Sequence, residues 1–384
     1  MSSRRHKLSV LATATAVAAT GAALGAFTPA ESAVPTITVT PWLSGLNAPR
    51  GVAFDGNGHF YVAESGTAGS GDHGLTHTGR VKRFTVGSTT PTWRRTFSSL
   101  YMHEAPPPAP ADVLGPEGMS AIVTHCSGAR VHRRACQPRL IMSESNKGTH
   151  TTNKQIGRLY RLEPGTGRRT VLSNVGDQQW RWTKNHPKVA GPEPDSNPYA
   201  VLVSRFPNRV RTFVVDAGAN TVVEVMRNGR TRVIALLPDN LKHDTTPTCV
   251  ARGPDRMLYV GTLDLIVNGF GNNPGHSSVW RINPNADYPT RPRKWATGLT
   301  TITACTFDRA GNFWAAEMFA PNPSGPPGDL VRIPFAHPKR VTHSGLGQVP
   351  LPGGIVQGPG GTLYVSTNSA APGPAGAIVR VRVR

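Results

Sequence analysis

The sequence predicts an all-β fold, a six-bladed β-propeller of four-stranded blades whose ring is closed by an N-terminal strand that completes the last blade. Three observations predict it. A hairpin pattern recurs six times, each hairpin is followed by two more strand signals, and the one outer strand missing at the C-terminus is present at the N-terminus.

The founding copy runs from Leu46 through Pro49-Arg50-Gly51-Val52-Ala53-Phe54, a turn at Asp55-Gly56-Asn57-Gly58, and His59-Phe60-Tyr61-Val62-Ala63-Glu64. An extended apolar run, a Gly/Asn/Asp turn and a second run carrying an aromatic form one β-hairpin. Clear later copies are Thr246 to Gly261, Ile302 to Glu317 and Pro352 to Ser366, and looser ones begin at Pro116 and Pro198. A spacing of roughly 50 residues marks a repeat architecture, not a string of independent domains.

Third strands follow at Arg80–Phe84, Arg158–Leu162, Thr221–Val225, Ser278–Ile282, Asp329–Ile333 and Ala377–Val381, each alternating apolar and polar residues. Fourth strands follow at Thr92–Phe97, Thr170–Asn174, Thr231–Leu236, Arg293–Ala296 and Arg340–Thr342. None follows the sixth third strand. Thr36 to Trp42 supplies it from the other end of the chain, as a closed ring of blades requires.

Residues 1–33 read as an export signal: Arg4, Arg5 and Lys7 precede an Ala-rich apolar run from Leu8 to Phe27 and then small residues. The propeller is expected over 34–384, with insertions at 102–114 and 177–194. No later apolar run is long enough to span a bilayer. The expected location is secreted, extracellular or cell-wall associated.

The formal charge is +20, and falls to about +18 once three basic residues and Glu31 leave with the leader. Such charge permits non-specific contact with anionic wall polymers, for instance through Arg130, Arg133, Arg134 and Arg139. No run of five basic residues, zinc-finger spacing or RNA-binding aromatic motif occurs, which argues against specific nucleic-acid recognition. In an exported chain four cysteines suggest disulfides. Cys126 and Cys136 flank a short loop that a bridge would staple. Cys249 and Cys305 stand in the first strands of consecutive repeats, either bridged or as two buried thiols.

Aligned hairpins place Glu64, Glu144, Asp216, Thr262, Glu317 and Thr367 at one position just past the second strand. They place Arg50, Glu117, Tyr199, Thr248, Thr303 and Gly353 at the entrance to the first. Both positions lie at the same end of a blade, so the five carboxylates should ring one channel mouth. With Asn197, Asn220 and Asn368 nearby, these are hard oxygen ligands, and Ca²⁺ is the candidate cation at Glu64, Glu117, Asn197 and Asp216. The alternative is structural: each acid closing strand two bonds backbone amides or pairs with Arg50. Trp180 and Trp182 would then either cover a ligand or pack an insertion on the ring. No Gly-x-Ser-x-Gly elbow, P-loop or dinucleotide fingerprint is present.

The founding hairpin resembles an NHL-type repeat. Asp195-Ser196-Asn197-Pro198-Tyr199, followed by Val214-Val215-Asp216-Ala217-Gly218-Ala219-Asn220, resembles the hallmark pair of the ScyD/ScyE family of exported bacterial proteins. The resemblance implies a propeller, export and, in relatives, an association with scytonemin gene clusters, but no agreed reaction. Blade two, with its cysteine-flanked Arg/His-rich loop, departs from that pattern. The expected function is an exported, non-enzymatic binding or scaffold propeller with an acidic mouth for a small molecule, cation or protein. The alternative is a divalent-cation-dependent lactonase or esterase-like hydrolase.

Overall fold

The computed structural model describes residues 36–384 apart from 68–73, 103–111, 123–133, 150, 192, 239–243, 265–266, 269–272, 289, 320–327 and 372. The segment 1–33 read as an export signal, most of the 102–114 insertion, Cys126, Arg130 and Arg133 lie outside the described residues.

Strand β1 (Ile37–Leu46) comes first. Blade one holds β2 (Pro49–Phe54), β3 (His59–Glu64), β4 (Thr76–Thr85), β5 (Trp93–Met102) and the short β6 (Asp112–Leu114); blade two holds β7 (Pro116–Ser120), β8 (Arg139–Met142), β9 (Arg158–Leu162) and β10 (Arg169–Asn174). Helices α1 (Val175–Asn185) and α2 (Pro187–Ala190) follow. Blade three is β11 (Pro198–Phe206), β12 (Arg209–Asp216), β13 (Thr221–Val225) and β14 (Thr231–Leu236), and blade four is β15 (Pro247–Arg252), β16 (Leu258–Thr262), β17 (Ser277–Ile282) and β18 (Arg293–Leu299). Blade five is β19 (Ile302–Phe307), β20 (Asn312–Glu317), β21 (Asp329–Pro334) and β22 (Thr342–His343). Blade six is β23 (Gly354–Gln357), β24 (Leu363–Thr367) and β25 (Gly376–Val383), closed by β1 in antiparallel register Ile37↔Val383, Val39↔Val381. The six-bladed propeller and its strand exchange are as the sequence predicts.

The hydrophobic core lies between blades as well as within them. Tyr61, Val81 and Phe97 of blade one pack with Leu140 and Tyr160 of blade two, and Val260 and Trp280 of blade four with Phe213 and Val222 of blade three. Further clusters join blades two and three, four and five, five and six, and six and one. Trp42 on β1 completes the last of these, its ring centroid 5.0 Å from Phe60 and 5.2 Å from Tyr364. Non-directional apolar burial thus holds the ring shut all the way round.

Three of the hairpin turns, in blades one, four and five, share a device that joins turn to core. Asp55 Oδ1 accepts the amides of Asn57 and His59, while Oδ2 accepts the Tyr61 hydroxyl at 2.8 Å. Asp255 treats Met257 N and the Tyr259 hydroxyl the same way, and Asp308 accepts Asn312 N and Trp314 Nε1. The aspartate therefore shapes the turn and satisfies the polar atom of the buried aromatic in strand two, which would otherwise cost the burial penalty of an unpaired donor.

All these tight turns lie at one end of the ring. The longer connections 65–75, 143–157, 263–276, 318–328 and 368–375 leave from the other, and 121–138 is the exception that joins the tight-turn end. The chain crosses from blade four to blade five with a disulfide, Cys249–Cys305, whose Cα atoms are 5.6 Å apart. Cys136 is also disulfide-bonded.

Candidate functional site

At the long-loop end each blade makes the same corner. The amide following strand two donates to the carbonyl just before strand one: Ser65 to Ala48, Ser143 to Gly115, Ala217 to Asn197, Leu263 to Thr246 and Met318 to Thr301. Ala48, Thr246, Thr301 and Leu351, each just ahead of strand one, adopt positive φ. Residues without a glycine's freedom hold that conformation only where surrounding structure enforces it.

The acids of the predicted ring are part of that enforcement. Glu64 Oε2 accepts Asn47 N at 2.9 Å, and Glu317 Oε1 accepts Thr300 N at 2.7 Å. Asp216 accepts three donors, Asn197 N at 2.7 Å, Ser196 Oγ at 2.6 Å and Ala219 N at 3.0 Å. Lys82 on strand three neutralises Glu64 at 2.7 Å. Each carboxylate fastens the entrance to its own blade.

The register removes Glu144 from this set. Pro49, Pro198, Pro247 and Ile302 face Glu64, Asp216, Thr262 and Glu317, but Pro116 faces Met142. Glu144 is therefore two residues further out, at φ 63°, its amide donating to Asn197 Oδ1. The acidic ring is thinner than the sequence alignment suggests, because blade two puts an apolar residue at the corner.

Burial without a full counter-charge pushes two of these acids up. Asp216 rises to about 7, driven by desolvation and aided by Asp195 against its three donors. Glu317 rises to about 8, again through burial, with Asp329 adding to it. A raised folded-state pKa means that the native protein binds more protons than the unfolded chain. The contribution is therefore complete below the unfolded value and is lost as pH rises through the folded one. Stability should fall by roughly 1–2 kcal/mol between about pH 5 and 7 through Asp216. Asp216→Asn should flatten that slope in urea melts; an unchanged slope would show that Asp216 ionises normally.

The second predicted ring converges. Arg50, Glu117, Tyr199, Thr248, Thr303 and Gly353 all line one constriction of about 70 Å³ in the central channel. These residues also pass hydrogen bonds from blade to blade. Thr248 Oγ1 donates to Ile302 O, Thr303 Oγ1 to Pro352 O at 2.7 Å, and Ser366 Oγ to Arg50 O at 3.2 Å. Arg50 Nη1 then donates to Glu117 Oε1 at 3.0 Å, with both side chains buried. The backbones come so close that a Cβ on Gly354 would lie 2.1 Å from Arg50 O. This throat admits a few waters or one functional group, far less than the roughly 300–1,000 Å³ of a small-molecule site.

The remaining predicted residues sit elsewhere. Asn220 bridges to the next blade, with Nδ2 donating to Asp244 Oδ1 and Oδ1 accepting Thr246 N. Trp182 stacks on His186 at 4.3 Å and meets Tyr288 edge-on at 5.3 Å, so it packs the insertion on the ring. Helix α1, capped by Asn174 on Asp177 N, is tied to blade three by Gln179 bonding Thr221 and Thr231. Arg139 is buried, donates to Ala135 O and Gln137 O, and is lowered by burial to about 9, so it is no surface contact for a polymer.

The four oxygen-bearing residues proposed for Ca²⁺ do not form one site. Glu64 is held by Asn47 and Lys82, Glu117 by Arg50, Asp216 by three donors, and Asn197 Oδ1 by the Glu144 amide. A hard cation wants six to eight oxygens around one point. Among the described residues, the one grouping of three acid, Cys or His side chains with ligand atoms within 4.8 Å of one another is Glu317, Asp329 and His343. Sequence reading missed it because Asp329 and His343 belong to strands three and four and carry no spacing motif.

It also missed the wide end of the channel. At the tight-turn end the channel opens into a cavity of about 540 Å³, lined among others by Phe54, Arg205, Arg252, Phe307, Arg309 and Gln357. Arg205 and Arg309 are exposed. Arg252 lies 4.3 Å over the Phe206 ring and donates to Arg205 O at 2.5 Å. Asp55 and Asp308, which also line the cavity, bond their own hairpin turns.

No family model matches the chain, and no curated protein matches it in sequence. Solved structures do resemble it. The PQQ-bound aldose sugar dehydrogenase of Streptomyces coelicolor aligns at 10% identity over 91% of this chain and 99% of its own, with a TM-score of 0.52. A putative glucose dehydrogenase of Thermus thermophilus aligns at 14% identity over 90% and 100%, with a TM-score of 0.53. A gluconolactonase of Xanthomonas campestris aligns at 13% identity over 93% and 97%, at 0.48. At these identities the likeness to the two dehydrogenases agrees with the fold described above, a six-bladed β-propeller, and says nothing of the chemistry.

Proposed function

We propose that this chain is an exported, non-enzymatic binding propeller of the ScyD/ScyE type, which takes an anionic ligand at its wide, tight-turn mouth. The observation that carries this reading is the cavity of about 540 Å³ with Arg205, Arg252 and Arg309 in its wall. That volume falls in the range of ligand sites, and the low-dielectric walls of Phe54 and Phe307 strengthen the attraction of guanidinium for an anion. The Cys249–Cys305 bridge supports export, because disulfides persist in oxidising compartments. The hydrolase reading loses the converging carboxylates on which it rested.

The test uses citrate as a small anion and poly-L-glutamate as a polymer, titrated calorimetrically at low and at high sodium chloride. Binding should weaken steeply with salt, and Arg205→Ala or Arg309→Ala should lower affinity by about tenfold. Polymer binding without citrate binding would move the site from the cavity to the surrounding surface. Absence of both overturns the proposal. In parallel, γ- and δ-lactones are incubated with the protein and Ca²⁺, Mg²⁺ or Mn²⁺. The expected rate is that of buffer, and turnover abolished by chelator would establish the hydrolase instead.

A further inference from the structure

We infer that Glu317, Asp329 and His343 form a binding site for a divalent transition-metal ion, zinc first, on blade five. It lies outside the channel and is independent of the anion-binding reading. The three residues come from adjacent strands. Glu317 ends β20, Asp329 opens β21 directly opposite it, and His343 ends β22. One ligand atom of each lies within 4.8 Å of the other two.

A second observation points to a ligand. Glu317 is fully buried, and while Oε1 accepts the Thr300 amide, Oε2 is buried with no hydrogen-bond partner. A buried carboxylate oxygen left unpaired carries a desolvation cost that folded proteins rarely tolerate without a partner. Asp329 is held in place for coordination. Its Oδ1 accepts Leu330 N at 2.7 Å and Gly345 N at 2.9 Å, leaving Oδ2 for the His343 ring at 2.6 Å. Bound carboxylates with such outer partners are typical of oriented metal ligands.

The donor set selects the ion. Two carboxylate oxygens and one imidazole nitrogen suit zinc and its neighbours, whose ligand distances are about 2.0–2.2 Å. Calcium would find too few oxygens. His343 is half-exposed on a strand of two residues, so its ring has the freedom to exchange the Asp329 bond for a metal bond. Its open side leaves a coordination position for water. The strand in the fourth position of every other blade has six residues or more. A metal would pin the two-residue outer strand of blade five to the buried strands beside it.

The test is zinc titration of the chelator-stripped full chain by calorimetry, with cobalt absorption as the spectroscopic readout. One equivalent should bind, and the melting midpoint should rise by roughly 5 °C at a hundredfold excess over Kd. His343→Ala and Glu317→Gln should each weaken binding at least tenfold, while His337→Ala, at an exposed histidine elsewhere on the blade, should not. Circular dichroism checks that each variant is folded, and His343→Ala, at a half-exposed position, keeps the test open if Glu317→Gln unfolds. No stoichiometric zinc binding, or binding that survives His343→Ala undiminished, overturns the inference.

Discussion

Replacing Cys249 and Cys305 together by alanine should cost about 4 kcal/mol of stability. The bridge closes a loop with a sequence separation of 56 residues. Removing it restores that loop's freedom to the unfolded chain, which the chain-entropy relation values at about 4 kcal/mol. Both cysteines stand in innermost strands and both line the throat, so the bond also clamps blade four to blade five where the ring is narrowest. Cys249 is buried, which should protect the bond from reductant until the protein unfolds. Urea melts with and without dithiothreitol measure this. The wild-type midpoint should drop on reduction of the unfolded state and the double variant should ignore reductant. An unshifted wild type would mean that apolar packing at that blade interface suffices alone.

Glu224→Ala should cost roughly 3–5 kcal/mol, the range for breaking a buried ion pair from one side. Glu224 is buried on β13 and meets three arginines: Arg211 Nε at 2.8 Å, Arg232 Nη2 at 2.7 Å and Arg209 Nη2 at 3.2 Å. Burial alone would disfavour its ionised form, but the hydrogen bonds from Arg211 and Arg232 outweigh that and hold its pKa below the usual range. Without the carboxylate, buried Arg211 keeps hydrogen bonds to Asn285 and Pro284 O and its contacts with the Phe206 and Phe213 rings, with two like charges beside it. Arg209→Ala, at the most exposed of the three pairs, should cost under about 1 kcal/mol. Equal losses for the two variants would show that the network acts as a surface charge cluster and not as a buried one.

The blades were legible in the sequence because each physical cause is local. Asp-x-x-Gly turns, alternating third strands and the displaced outer strand at Thr36–Trp42 need no tertiary information. The corner acids were half legible. Their positions follow from the hairpin register, but their direction depends on amides of the entrance loop, such as Asn47 and Thr300, that only the folded corner brings within reach. Glu144 was misplaced because an acid near the end of strand two invites alignment with other acids, whereas the pairing of Pro116 with Met142 decides the matter. The throat ring was legible, since its members share one register position. The wide mouth was not, because its arginines come from three separate hairpins that converge only when the ring closes. The Glu317–Asp329–His343 group escaped for the same reason, being assembled across three strands.

Corner acids committed to blade-entrance amides have no convergent oxygen cage to offer a hard cation. Calcium titration of the dialysed protein by calorimetry, run on the wild type, Glu64→Gln and Asp216→Asn, tests that most directly. No saturable calcium binding to any of the three is the predicted result. One equivalent of calcium bound by the wild type and lost in both variants would contradict it, and would return the acids to a metal centre at the long-loop mouth.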